Sequence, residues 1–216
     1  MSLEPTEWNV IVAGRWNKAI LTPAGVAERL FGLQKGTPVE VLVALDQLLP
    51  HKIKHDGIVV TPDDLRLEAA PQVFTYANLE KAIETARRAV EELPKTPLEA
   101  VGINVRYSTI EPLGDLDGIT SSEFDDKLSD ASLEIVGRSH ARSISWNDGR
   151  VNLFVSMDEN NKFQIVFNFE RKSKDKDELI RWLKTPISEI ESLIEQLLRD
   201  YLGITPMEMN YDSGSE

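Results

Sequence analysis

Residues 150–170 carry two runs in which apolar side chains recur at every second position. Period two is the mark of a strand with one buried face. Val151, Leu153, Val155 and Met157 share one parity, and Phe163, Ile165, Phe167 and Phe169 share another. Asn147-Asp148-Gly149 precedes the first run and Asp158-Glu159-Asn160-Asn161 separates the two. Such residues accept the positive φ that tight hairpins demand. The pattern predicts an antiparallel meander with strands near Arg138–Trp146, Arg150–Met157 and Phe163–Glu170. Helices do not alternate with these strands, which argues against a doubly wound parallel sheet.

The rest of the chain reads in the same way. Trp8, Val10, Val12 and Trp16 share a parity and predict a strand from Trp8 to Ile20, with Gly14 marking a bulge or a close backbone approach. Thr22-Pro23 opens a helix, Thr22 as cap and Pro23 where no donor is needed. A strand over Val39–Leu45 follows, then a hairpin of Ile58–Val60 and Leu65–Leu67 around Thr61-Pro62-Asp63-Asp64. Thr75–Leu93 is a helix with Leu79, Ala82, Ile83, Ala86, Val90 and Leu93 on one face, stopped by Pro94 and Pro97. Val101–Ile110 is a strand, and Ser121 or Ser122 caps a short helix carrying Phe124 and Leu128. A final helix starts near Asp177 and restarts at Pro186 with Thr185 as cap. Its face is Ile187, Ile190, Leu193, Ile194, Leu197 and Tyr201.

The expected class is α+β, with mainly antiparallel sheets, each packed by helices. The order of elements suggests two similar units, an N-terminal one over 1–96 and a C-terminal one over 97–206, ahead of a flexible tail over 207–216.

With no cysteine, the chain has no disulfide framework, thiolate metal site or Cys nucleophile. No apolar run approaches the roughly 20 residues of a spanning helix, and the N-terminus lacks a signal-peptide pattern. A cytoplasmic protein with no membrane partner is expected. The net charge of −12 repels phosphate backbones, so no nucleic-acid partner is expected either.

The usual catalytic patterns are missing. Gly32 to Gly36 lacks the Lys-Ser/Thr ending of a phosphate loop, and no G-x-S-x-G elbow occurs. Asp115-Leu116-Asp117-Gly118 hints at a calcium loop, but Thr120 stands where the turn needs Gly. His51 and His55 have ligand-like spacing, with Asp46 and Asp56 as further candidates, yet they read better as solvated loop histidines. No catalytic residue, metal site or cofactor is assigned. Arg138, His140 and Arg142 share a face of one predicted strand and form a small basic stripe. Either they meet an anionic partner or they pair with nearby carboxylates. Asn104 and Arg106 on the predicted central strand join them as candidate ligand-binding residues.

Several segments carry a family resemblance: WNVIVAGRWN over 8–17, AILTP over 19–23, GTPVE over 36–40, HDG over 55–57 and GINVRY over 102–107. With the helix over 187–204, they resemble a sporadically distributed bacterial family of uncharacterised proteins. The resemblance extends over most of the chain. It implies an α+β fold and transfers no functional residue.

The expectation is a non-enzymatic protein-interaction or binding module, acting on a protein partner or a second copy through a sheet edge or the last helix. Two alternatives stand beside it. One is a small-ligand binder or enzyme with a hidden site between the two units. The other is an acidic nucleic-acid mimic built on residues 111–134, which hold eight Asp or Glu and a single basic residue, Lys127.

Overall fold

A computed structural model describes residues 3–43, 50–109, 120–157 and 162–204. The first half runs β1 (Leu3–Gly14), α1 (Pro23–Arg29), β2 (Glu40–Leu42), β3 (Lys52–His55), β4 (Ile58–Pro62), β5 (Arg66–Pro71) and α2 (Tyr76–Glu92). The second runs β6 (Leu98–Thr109), α3 (Glu123–Asp130), β7 (Arg138–Trp146), β8 (Gly149–Met157), β9 (Phe163–Lys172), α4 (Lys176–Leu183) and α5 (Ile187–Gln196). A π-helical turn, Leu197–Tyr201, extends α5. The fold is α+β.

All nine strands join one antiparallel sheet in the order β2-β3-β4-β5-β1-β6-β9-β8-β7. Each half lays down its first strand at the centre, crosses to an edge, and steps back until its last strand pairs with its first. Thus β5 pairs β1 and β9 pairs β6. The halves meet where β1 and β6 pair from Leu3↔Thr109 to Gly14↔Leu98. That seam is hydrogen-bonded along both strands, so no cleft opens between the halves within the sheet.

Among the described residues, the helices lie on one face of the sheet. Trp8 packs on Tyr76 at the start of α2, with ring centroids 5.0 Å apart. His55 of β3 meets Phe31 just after α1 at 5.4 Å, and Trp146 of β7 meets Trp182 of α4 at 6.2 Å. The row Trp8, Val105, Phe167, Leu153 crosses four paired strands on this face and is buried throughout. These side chains belong to one core cluster that includes residues of both halves. At about 25 cal/mol per Å² of apolar area buried, that shared core is the main source of cohesion.

Local chemistry sets the element ends. Thr22 Oγ1 accepts from Gly25 N at 3.2 Å, and Thr75 Oγ1 accepts from Asn78 N at 3.2 Å. Both are the N-caps expected of Thr ahead of a helix. Asp175 caps α4 by accepting from Asp177 N at 2.8 Å.

Five details differ from the sequence expectation. β1 starts at Leu3 and ends at Gly14, because β6 offers pairing that far and a Cβ on Gly14 would lie 2.6 Å from the Pro97 carbonyl oxygen. Trp16 is buried just past the strand, its indole donating to the Val12 carbonyl at 3.0 Å. Among the described residues β2 spans Glu40–Leu42, and Val41 and Val43 are exposed rather than facing a core, since β2 lies at the sheet edge; Ala44 and Leu45 of the expected strand lie outside the described residues. His51 is a loop residue leading into a strand, but His55 is not. Lys52–His55 is β3, turned into β4 by Asp56-Gly57, both at positive φ. Thr185 does not cap α5. Its hydroxyl donates to Trp182 O at 2.8 Å, and Pro186 holds the cap position. Finally, the π turn rotates the end of the last helix, so Leu198 and Leu202 are buried and Tyr201 is exposed. The expected tail lies outside the described residues.

Candidate functional site

β7 is the edge of the sheet next to β8. It pairs with β8 over all nine residues, from Arg138↔Met157 to Trp146↔Gly149, with no bulge. Asn147 and Asp148 have φ of 42° and 58°, which makes the connection a two-residue hairpin of the type that follows the sheet's twist.

That turn fixes the phase of the edge. Trp146 and Gly149 flank it and form the hydrogen-bonded pair. Pairs then alternate along an antiparallel ladder. Ile144, Arg142 and His140 therefore direct their main-chain groups to β8. Ser145, Ser143, Ala141 and Ser139 direct theirs away from the sheet. The outward N–H and C=O groups belong to small residues, and all four are exposed. Their side chains lie on the helix-free face. There Ala141 stands opposite Phe154, which is 38% exposed.

The expected basic stripe lies on the other face of β7. Arg142, His140 and Arg138 are paired with Leu153, Val155 and Met157, all buried on the helix side. Arg138 donates through Nε to Asp125 of α3 at 2.6 Å. This hydrogen bond holds the Asp125 carboxyl below the usual carboxylate range. Arg142 is exposed and donates to the carbonyl of its neighbour Ala141 at 2.8 Å.

Asn104 and Arg106 lie on the helix-free face, so the five candidate residues do not converge on one site. Arg106 is paired with Glu7 at 2.6 Å. Asn104 belongs to a ladder that crosses the sheet. Ser143 donates to Asn152 at 2.7 Å, Asn152 to Asn168 at 2.8 Å, Asn168 to Asn104 at 2.8 Å, and Asn104 to Asn9 at 2.7 Å. Asn9 ends the run on Glu68 at 3.1 Å and Glu7 at 3.2 Å. Every donor in the row points the same way, toward two carboxylates.

The sequence reading missed this ladder. Its signal was four Asn, each at the polar parity of a strand, although Asn is depleted in strands. The ladder accounts for Asn104 without a ligand.

No family model matches this chain, and no curated protein matches it.

Other features of the fold have structural partners. Asp56 is tied to Lys81 at 2.9 Å, which holds its carboxyl low. Asp46 lies outside the described residues, and among the described residues no three His, Asp or Glu side chains group to hold a metal. The larger concavities are open clefts. One of about 500 Å³ is lined by Arg171, Glu178, Trp182 and Glu189. In it Arg171 is bonded to Glu178 at 2.7 Å and to the Asp148 carbonyl. Residues 110–119 of the acidic segment lie outside the described residues, and so does Asp115-Leu116-Asp117-Gly118. Among the described residues, no helix is long and apolar enough to cross a membrane.

Proposed function

We propose that this chain is a non-enzymatic protein-interaction module that binds an extended segment of its partner along β7. The observation that supports this reading is the outward row of main-chain donors and acceptors at Ser139, Ala141, Ser143 and Ser145. A strand edge of this length that pairs with no further strand among the described residues is a template for strand addition, where main-chain bonds supply affinity and side chains supply selectivity, and a partner N–H would replace the Arg142 guanidinium on the Ala141 carbonyl. Protective devices on such an edge include a Pro, a bulge or a covering segment, and β7 itself has neither Pro nor bulge.

The test is Ala141→Pro combined with Ser143→Pro. Each removes an outward donor and leaves the β7–β8 bonds in place, as edge positions allow. Tagged native protein and the double variant are compared as baits in extract from the source cells. A stoichiometric protein recovered by the native chain and lost with the folded variant supports the reading. Equal recovery by both baits overturns it.

A further inference from the structure

We infer that the segment added to β7 is acidic on one side and apolar on the other, in strict alternation. The inference rests on the strand-addition reading and specifies the partner's chemistry.

The two faces of β7 differ in kind. On the helix side, Arg142 and His140 stand at the edge, with Arg138 beyond them. A strand laid against β7 brings its own side chains on that face to within about 5 Å of these residues. Arg138 already has a carboxylate, Asp125. Arg142 has only the main-chain oxygen of Ala141 among its described hydrogen bonds. The position beside it therefore favours a carboxylate, as Asp125 stands beside Arg138 and Glu170 beside Arg150.

On the helix-free face, Ser139, Ala141, Ser143 and Ser145 leave room above the sheet. Phe154 stands behind Ala141 and is 38% exposed, and Val166 is paired with Phe154 on the next strand. With only small side chains on β7 between them, an apolar side chain on that side of the partner extends the apolar surface that Phe154 begins. A carboxylate there gains nothing.

A second copy of the chain fits less well. Pairing two β7 strands about their midpoint sets Arg142 against Arg142 of the other copy, a like-charge contact that destabilises a strand pair.

The experiment uses fluorescein-labelled eight-residue peptides and the full chain. One peptide has the order Thr-Glu-Val-Glu-Val-Glu-Val-Thr, and a counterpart carries Lys in place of Glu. Fluorescence anisotropy is expected to show the Glu peptide binding, with the Lys peptide weaker by up to about fivefold, as an exposed charge pair is worth. Arg142→Glu is expected to invert that preference. Arg142→Gln, a milder change at the same exposed site, is expected to reduce it. Equal binding of the two peptides, no binding of either, or an unchanged preference in both Arg142 variants overturns the acidic partner.

The Ala141→Pro, Ser143→Pro variant separates the two claims. If both peptides bind equally and this variant binds neither, strand addition stands and the charge inference falls. If it binds the peptides as the native chain does, strand addition falls as well. Sedimentation is run on the same samples. A dimer that the double-proline variant abolishes assigns β7 to a second copy and also overturns the acidic partner.

Discussion

Asn168 donates its side-chain amide to the Asn104 carbonyl oxygen at 2.8 Å, joining β9 to β6 on the helix-free face of the sheet. Asn104 passes its own amide on to Asn9, which is 3% exposed. Removing Asn104 leaves a nearly buried acceptor on Asn9 and a donor on Asn168 without their partners. Asn104→Ala is expected to cost about 1–3 kcal/mol in urea unfolding. Ser143→Ala, at the exposed end of the row, is expected to cost less than about 0.5 kcal/mol.

Gly149 closes the β7–β8 turn against β9 and α4. A Cβ there would lie 2.4 Å from the Glu170 carbonyl oxygen and 3.1 Å from the Trp182 indole nitrogen. Because the first of these is backbone, it cannot swing aside. Gly149→Ala is expected to destabilise by about 1–3 kcal/mol, the usual range for overpacking. A thermal melt of the variant beside the native chain measures it.

The π turn makes a prediction that a regular helix does not. Leu198 is 1% exposed and Tyr201 is 66% exposed. Leu198→Ala is expected to cost about 2–5 kcal/mol. Tyr201→Ala is expected to stay within about 0.5 kcal/mol of the native chain. A straight continuation of α5 with Tyr201 on the apolar stripe would give Tyr201→Ala a large cost as well.

Two glutamates are expected to move stability in opposite directions with pH. Burial, with Glu195 nearby, raises the Glu191 carboxyl above its ordinary value. The folded state then holds this proton more tightly than the unfolded state, so the group costs stability once pH rises through the window between the two values. Glu191→Gln is expected to stabilise at neutral pH, and the gain is expected to vanish as pH falls below the ordinary carboxylate range. At Glu84, burial raises the carboxyl, but hydrogen bonds from Arg87 and Arg88 outweigh it and the net shift is downward. Its contribution is present above the unfolded value and is lost as pH falls through the folded one. Glu84→Gln is expected to destabilise at neutral pH and to lose its effect in acid. Melting temperatures between pH 3 and pH 8, within the range where carboxylates titrate, check both signs.

The second half of the sheet was legible because period two and turn chemistry agree there. Val151 to Met157 and Phe163 to Phe169 each bury one parity, and Asn147-Asp148-Gly149 has the φ values its residue types favour. The helices α1 and α2 were legible from Thr caps and apolar stripes. β3 was not, because Lys-Ile-Lys-His offers a single apolar residue, Ile53, to bury. The π turn was not, because nothing in Leu-Leu-Arg-Asp-Tyr separates one helical phase from the next. The basic stripe of β7 was legible as a shared face of one strand. That Asn104 and Arg106 lie on the opposite face of the sheet was not, because facing depends on register across several strands and only within one strand does sequence parity settle it.

The sheet's two ends are unequal. Among the described residues, β7 offers nine residues at one end and β2 offers three at the other, about 40 Å away at the usual spacing between strands. A molecule with two long open edges is a link in a growing chain, because each addition exposes another site like the first. A molecule with one long edge is a stopper: what joins it at β7 meets no matching surface at β2. On the strand-addition reading proposed above, addition at β7 would end in a complex of fixed size, and the backbone that recruits a partner would not seed a fibre.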